Sequence, residues 1–209
     1  FLLGAGVSLS AGFPPTDTIT DRVCGREGRI LNVGGTYSWS PTPADGHPRG
    51  SVPDPGQRVI EIVADMLWRG KQSPNYEDLY YAVNELHEHL TYNYDNPCLE
   101  PLIARLMEKA DWSDLDRDPR EGLRDAVSEA CNLIRSVVAR SLSRDPEPTD
   151  LNLLTDIIRA RRFQRVDIFT LNHDCHIETA LQEAKLAYED GFRETGHEDV
   201  HVWSRACLE

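Results

Sequence analysis

The chain lacks any run approaching the roughly 20 consecutive apolar residues that a membrane-spanning helix needs, so no helical span is expected. Positive charge is scarce. Lys and Arg number 22 against 35 Asp and Glu, a formal net charge of −13. That balance argues against a broad nucleic-acid surface, which needs clustered Lys and Arg. An anionic small molecule stays open, because backbone N–H groups can hold one locally. The five cysteines (Cys24, Cys98, Cys131, Cys175 and Cys207) are odd in number, scattered and without a C-x-x-C pair. They read as the reduced thiols of a cytoplasmic protein, not a disulfide framework or a structural zinc site. An initiator Met is also missing, and strand-like segments after Asp174 are few. The chain therefore reads as part of a longer protein.

What is present is ordinary in bulk, at 40% hydrophobic and 27% charged residues over 209, enough for a sizeable core. The organising stretch is Phe163 to Leu181, F-Q-R-V-D-I-F-T-L-N-H-D-C-H-I-E-T-A-L. Val166 to Leu171 is mostly β-branched or aromatic and predicts a buried parallel strand. Asn172, His173 and Asp174 end it, and Ile177, Ala180 and Leu181 resume at helical spacing with Asp174 as a candidate N-cap. A strand that delivers polar side chains and turns into a helix is where open α/β sheets bind ligands. A plain turn and cap is the alternative.

The chain opens F-L-L-G-A-G-V-S-L-S-A-G-F-P. A strand end runs into Gly4-Ala5-Gly6, then Ser8, Gly12 and Pro14. Glycines let the backbone approach a ligand with no Cβ in the way, and the following N–H groups can face a phosphate, helped by a helix amino end. The full G-x-G-x-x-G fingerprint is absent, as is a clear acidic residue about 20 positions on. Thr16, Asp17 and Thr18 then lead into a first helix.

Between these stretches lie two different regions. Gly25 to Gly56 holds seven glycines and five prolines and reads as an insertion, with a hairpin over Arg29 to Trp39 around Gly34-Gly35. From Gln57 to Leu142 apolar residues recur at threes and fours. Val59/Ile60/Val63, Leu79/Val83/Leu86, Leu102/Ile103/Leu106 and Val127/Ile134/Val138 mark four helices, broken at Ser73-Pro74, Asn96-Pro97 and Asp118-Pro119. His87 and His89 fall on different helical faces and make a poor metal pair. His173, Cys175 and His176 do not converge on one centre either, so no metal is expected.

The pair G-A-G-V-S-x-x-x-G-x-P and T-x-N-x-D resembles the sirtuin superfamily. It is most similar to the sirtuin-like domains of bacterial antiphage defence, in which the second motif often continues to a Glu (here Glu178) and a later D-G-F (Asp190-Gly191-Phe192). Asn75-Tyr76-Glu77-Asp78 is similar to a helix start between the motifs of those domains. The resemblance implies an α/β fold: a Rossmann-like parallel sheet carrying an inserted α-helical subdomain. Residues 1–24 and 146–209 would form the NAD-binding part, 25–56 the Gly/Pro-rich insertion, and 57–145 the helical subdomain.

It also implies NAD as substrate. Gly4, Ala5, Gly6 and Ser8 would hold the phosphates and ribose, with Gly12 and Pro14 shaping the following turn and Thr170 opening the second motif. Asn172 matches the family's catalytic Asn, and Asp174 the Asp that accepts from the nicotinamide carboxamide. The expected activity is NAD+ hydrolysis at the nicotinamide–ribose bond, in a homo-oligomeric defence effector paired with a sensor or with an ATPase- or helicase-type motor. NAD-dependent protein deacylation and non-catalytic sensing of NAD or an NAD-derived nucleotide are the alternatives. A cysteine-quartet zinc module and the Asp-Phe-Arg of deacetylases are absent, which disfavours deacylation. No His-Gly follows Phe192, so the general base is expected at His197, at His201 or beyond Glu209.

Overall fold

The threes-and-fours spacing of apolar residues does become helix. The computed structural model describes residues 1–4, 6–25, 29–31, 37–39, 54–68, 73–109, 118–143, 151–160, 163–170, 172–194 and 201–203. In chain order these form β1 (Leu2–Leu3), α1 (Gly6–Leu9), α2 (Thr16–Cys24), β2 (Arg29–Leu31), β3 (Tyr37–Trp39), α3 (Pro55–Trp68), α4 (Tyr76–Leu90), a 3-10 turn (Pro97–Leu99), α5 (Glu100–Lys109), α6 (Pro119–Leu142), α7 (Asn152–Arg159), β4 (Phe169–Thr170), α8 (His176–Glu183), β5 (Phe192–Glu194) and β6 (His201–Trp203). They divide into two units, Pro14–Ser143 and Phe1–Phe13 with Arg144–Glu209. None of the described helices is long and apolar enough to cross a membrane.

The helical unit is built on the stripes. Ile60, Leu79, Leu86, Leu106, Leu123 and Leu133 from α3 to α6 are fully buried in one cluster, which Ile19 and Val23 of α2 join. Polar punctuation sets the ends. Asn75 Oδ1 accepts the N–H groups of Glu77 (2.8 Å) and Asp78 (2.9 Å), while Asp78 Oδ2 accepts Asn75 N–H at 3.0 Å. This reciprocal capping box satisfies donors that an open helix start would leave unpaired. Asn75→Ala is expected to cost about 1 kcal/mol, read as a lowered urea midpoint at unchanged slope. At α6 the Asp118 carboxylate accepts Arg120 N–H at 2.8 Å, with Pro119 in the first helical position. The hairpin read over Arg29 to Trp39 is present as antiparallel β2–β3, with Arg29 opposite Trp39. The rest of the insertion lies outside the described residues, apart from Gly25 and from Asp54 to Gly56.

The start of α3 packs closely on α6. A Cβ on Gly56 would stand 2.9 Å from the Ala130 nitrogen and from the Glu129 carbonyl carbon. Glu129 accepts the Gly56 N–H, yet its carboxyl is raised above the usual range, first by burial and then by Asp54, with Asp125 adding less. A carboxyl raised in the fold favours the protonated form. Its contribution to stability is therefore present below the unfolded value and is lost as pH rises through the folded one. At neutral pH the ionised Glu129 is a net cost. Glu129→Gln keeps an acceptor for Gly56 and removes the charge, so its Tm should exceed wild type at pH 7. The gap should close towards about pH 4, the ordinary carboxylate value, as read by paired melts.

The other unit overturns the Rossmann-like expectation. Among the described residues the only parallel pairing is β1 with β4, two residues each, in the register Leu2↔Phe169 and Leu3↔Thr170. β5 and β6 add a separate antiparallel pair. A doubly wound sheet needs several parallel strands covered on both faces, whereas Leu2 is 81% and Phe169 64% exposed. The β-branched composition of Val166 to Leu171 was read as a buried strand. A strand, however, exists only where a neighbour supplies ladder bonds, and among the described residues of this stretch only Phe169 and Thr170 are paired in a strand.

Candidate functional site

Within the smaller unit, β1 delivers the glycine turn and β4 delivers Asn172, and the parallel register sets their ends side by side. Phe169 N–H donates to Phe1 O at 2.8 Å, in keeping with that register. Asn172 N–H donates to the Thr170 hydroxyl at 3.0 Å.

The Asn172 amide then reaches back across the sequence. Its Nδ2 donates to Ser8 Oγ at 2.7 Å and to Gly4 O at 3.2 Å. A backbone carbonyl only accepts, so the amide nitrogen must face Gly4. Both amide hydrogens are thereby committed, and Oδ1 is left as the acceptor of this side chain. An amide side chain can both donate and accept, and this geometry narrows Asn172 to accepting. Ser8, 5% exposed, is the hub of the turn, because its carbonyl also takes the N–H groups of Ala11 (3.0 Å) and Phe13 (3.2 Å).

Gly12 is needed for conformation: its φ of 81° lies in the left-handed region. Gly4 and Gly6 differ. Neither has a left-handed φ, and a Cβ on either would meet nothing within 4 Å. The fold itself does not demand glycine at these two positions. Helix α1, spanning only Gly6–Leu9, offers little of the helix-end field expected of it. Ala5 lies outside the described residues, and Pro14 belongs to the helical unit.

Asp174 is not the N-cap of α8. That position falls on Cys175, with no side-chain cap bond, because Asp174 Oδ1 instead accepts the His176 N–H at 3.1 Å in a local turn two residues long. The Cys175 thiol is raised by burial and then by Glu178 and Asp174, which keeps it protonated and a poor nucleophile at neutral pH. His176 points into the unit against Phe13, ring centroids 6.2 Å apart, a packing role that the sequence did not disclose. Glu178 Oε2 is buried with no hydrogen-bond partner among the described residues. Arg159, in the last turn of α7, donates to Ala184 O at 3.0 Å, at the C-cap of α8. His201 begins β6, and His197 lies outside the described residues.

No family model matches the sequence, and no curated protein or solved structure matches it at a significant level. The sirtuin resemblance therefore rests on the short motifs themselves.

Proposed function

We propose that this chain is an NAD+ hydrolase that cleaves the nicotinamide–ribose bond, working in a homo-oligomeric defence effector that depletes NAD. The observation that carries this reading is the hydrogen bond from Asn172 to Ser8, which joins the two motifs across 164 residues of sequence. The reading does not depend on a doubly wound sheet. It asks only that the Gly4–Ser8 turn and Asn172 occupy one place.

The chemistry follows from that place. Departure of nicotinamide leaves an oxocarbenium-like ribose, and an attacking water must be held on the opposite face. Asn172 Oδ1, its amide hydrogens tied down by Ser8 and Gly4, is a rigid acceptor for that water or for a ribose hydroxyl. Asp174 keeps one carboxylate oxygen outside its local turn for the carboxamide N–H2. Open space at Gly4 and Gly6 admits the pyrophosphate close to the backbone.

The test is nicotinamide release from NAD by the purified chain, alone and with its assembly partner, alongside calorimetric binding. Release above the buffer rate is expected. Tight binding without turnover in the assembled complex would convert the reading to a sensor, and absence of both would remove it.

A further inference from the structure

We propose that His89 is a proton-operated latch on the turn between α4 and α5, and that the group it releases is the Asn96 backbone amide. His89 sits in the last turn of α4 and is 7% exposed. Its Nδ1 accepts Asn96 N–H at 3.1 Å, and its Nε2 lies 3.3 Å from Glu100 Oε1 at the start of α5. A main-chain N–H can only donate, so Nδ1 carries no proton and the single ring hydrogen resides on Nε2, where Glu100 accepts it. The neutral imidazole is satisfied at both nitrogens.

Protonation adds a hydrogen to the one ring atom that was accepting. Asn96 N–H then faces another donor and loses its partner, while the ring gains a charge. The Asp95 carboxylate, with Oδ1 3.7 Å from Nδ1, is the acceptor at hand. The other charged groups around the ring do not compete for that hydrogen. Glu100 remains on Nε2 and also accepts Arg120 Nη2 from α6 at 3.2 Å. On α4 itself Glu88 holds Asn93 Nδ2 at 2.7 Å, and His87 lies 3.8 Å from Glu88.

The exchange is confined to the turn. Tyr92 holds a φ of 62°, a left-handed conformation fixed locally by Tyr92 N–H to His89 O and Asn93 N–H to Glu88 O. The helices on either side are held by buried Leu86, Leu90, Ile103 and Leu106, none of which responds to protons. Acid thus exchanges a main-chain tie for a carboxylate tie at one turn.

Nitrogen-15 and proton NMR of the 209-residue chain across a pH series tests this. At the high-pH end Nδ1 should show the unprotonated nitrogen shift and Nε2 the protonated one. The Asn96 amide should then move with the same midpoint as the His89 ring. His89→Gln retains an acceptor and a donor but cannot titrate, so its Asn96 amide should be flat over that range. Asp95→Asn removes the anionic acceptor of the charged state and should lower the His89 midpoint, a readout that survives if His89→Gln does not fold. An Asn96 amide that ignores His89 titration, or a midpoint unmoved in Asp95→Asn, would overturn the latch.

Discussion

Asn172→Ala should leave NAD binding within a few fold and reduce nicotinamide release by roughly 10²-fold or more, the usual scale for losing one preorganised polar group at a reacting centre. The asymmetry follows from where the side chain points its atoms. In the proposed mechanism the glycine turn would meet the phosphates and Asn172 would only brace it, whereas the acceptor Oδ1 would be the atom offered to the reacting ribose. Bracing carries its own cost. Without the amide, buried Ser8 Oγ loses its donor at 2.7 Å, whereas exposed Gly4 O keeps the Val7 N–H at 3.1 Å. An unpaired buried polar group costs about 1–3 kcal/mol. Melting must therefore accompany the kinetics.

Ser8→Ala separates the two effects. It removes one end of the brace but keeps Oδ1 and the Gly4 bond, so its rate loss should be clearly smaller than that of Asn172→Ala. Asn172→Asp is informative for the opposite reason. It puts an acceptor where Gly4 O requires a donor, and it should lose both the brace and the rate. Wild-type turnover in Asn172→Ala, with folding intact, would end the proposed mechanism.

The helical unit was legible because its signals are local. Leu79, Val83 and Leu86 sit three and four apart on one face, and Asn75 with Asp78 spells a capping box within four residues. The sheet was not legible, because strand formation is decided by partners elsewhere in the chain. Val166 and Ile168 have the composition of a strand, yet among the described residues of that stretch only Phe169 and Thr170 find ladder neighbours. A one-residue error at α8 has a similar origin. Asp174 is a good cap by type, but its carboxylate is drawn into a tighter turn with His176 N–H.

For the candidate site, the resemblance alone paired Ser8 with Asn172. No periodicity connects residues so far apart. What no motif disclosed is the direction of the amide, which depends on Gly4 offering a carbonyl and so on backbone geometry. The distinction between glycines was equally hidden. A sequence shows the same letter at Gly6, Gly12 and Gly56, and three different physical situations stand behind it: open space, a left-handed φ and close packing.

Those situations make opposite predictions at Gly6 and Gly56. Gly56→Ala should destabilise the helical unit although alanine is the better helix former by about 1 kcal/mol. The added Cβ would lie 2.9 Å from backbone atoms of α6, and backbone cannot rotate away as a side-chain tip can. Overpacking of this kind typically costs about 1–3 kcal/mol, so the clash outweighs the propensity. A urea midpoint at or above wild type would show that α3 and α6 can separate without loss. Gly6→Val meets no such obstacle, since its Cβ would enter open space. Its Tm should remain within a few degrees of wild type, as for surface changes that disturb no packing. Its NAD affinity should fall by about tenfold or more, because the branched side chain fills the approach that the pyrophosphate requires. Calorimetry on the folded variant reads this directly. Undiminished NAD binding by Gly6→Val would remove the opening turn from the site, whatever Asn172 does, because a phosphate cradle cannot tolerate a valine that the fold itself accepts.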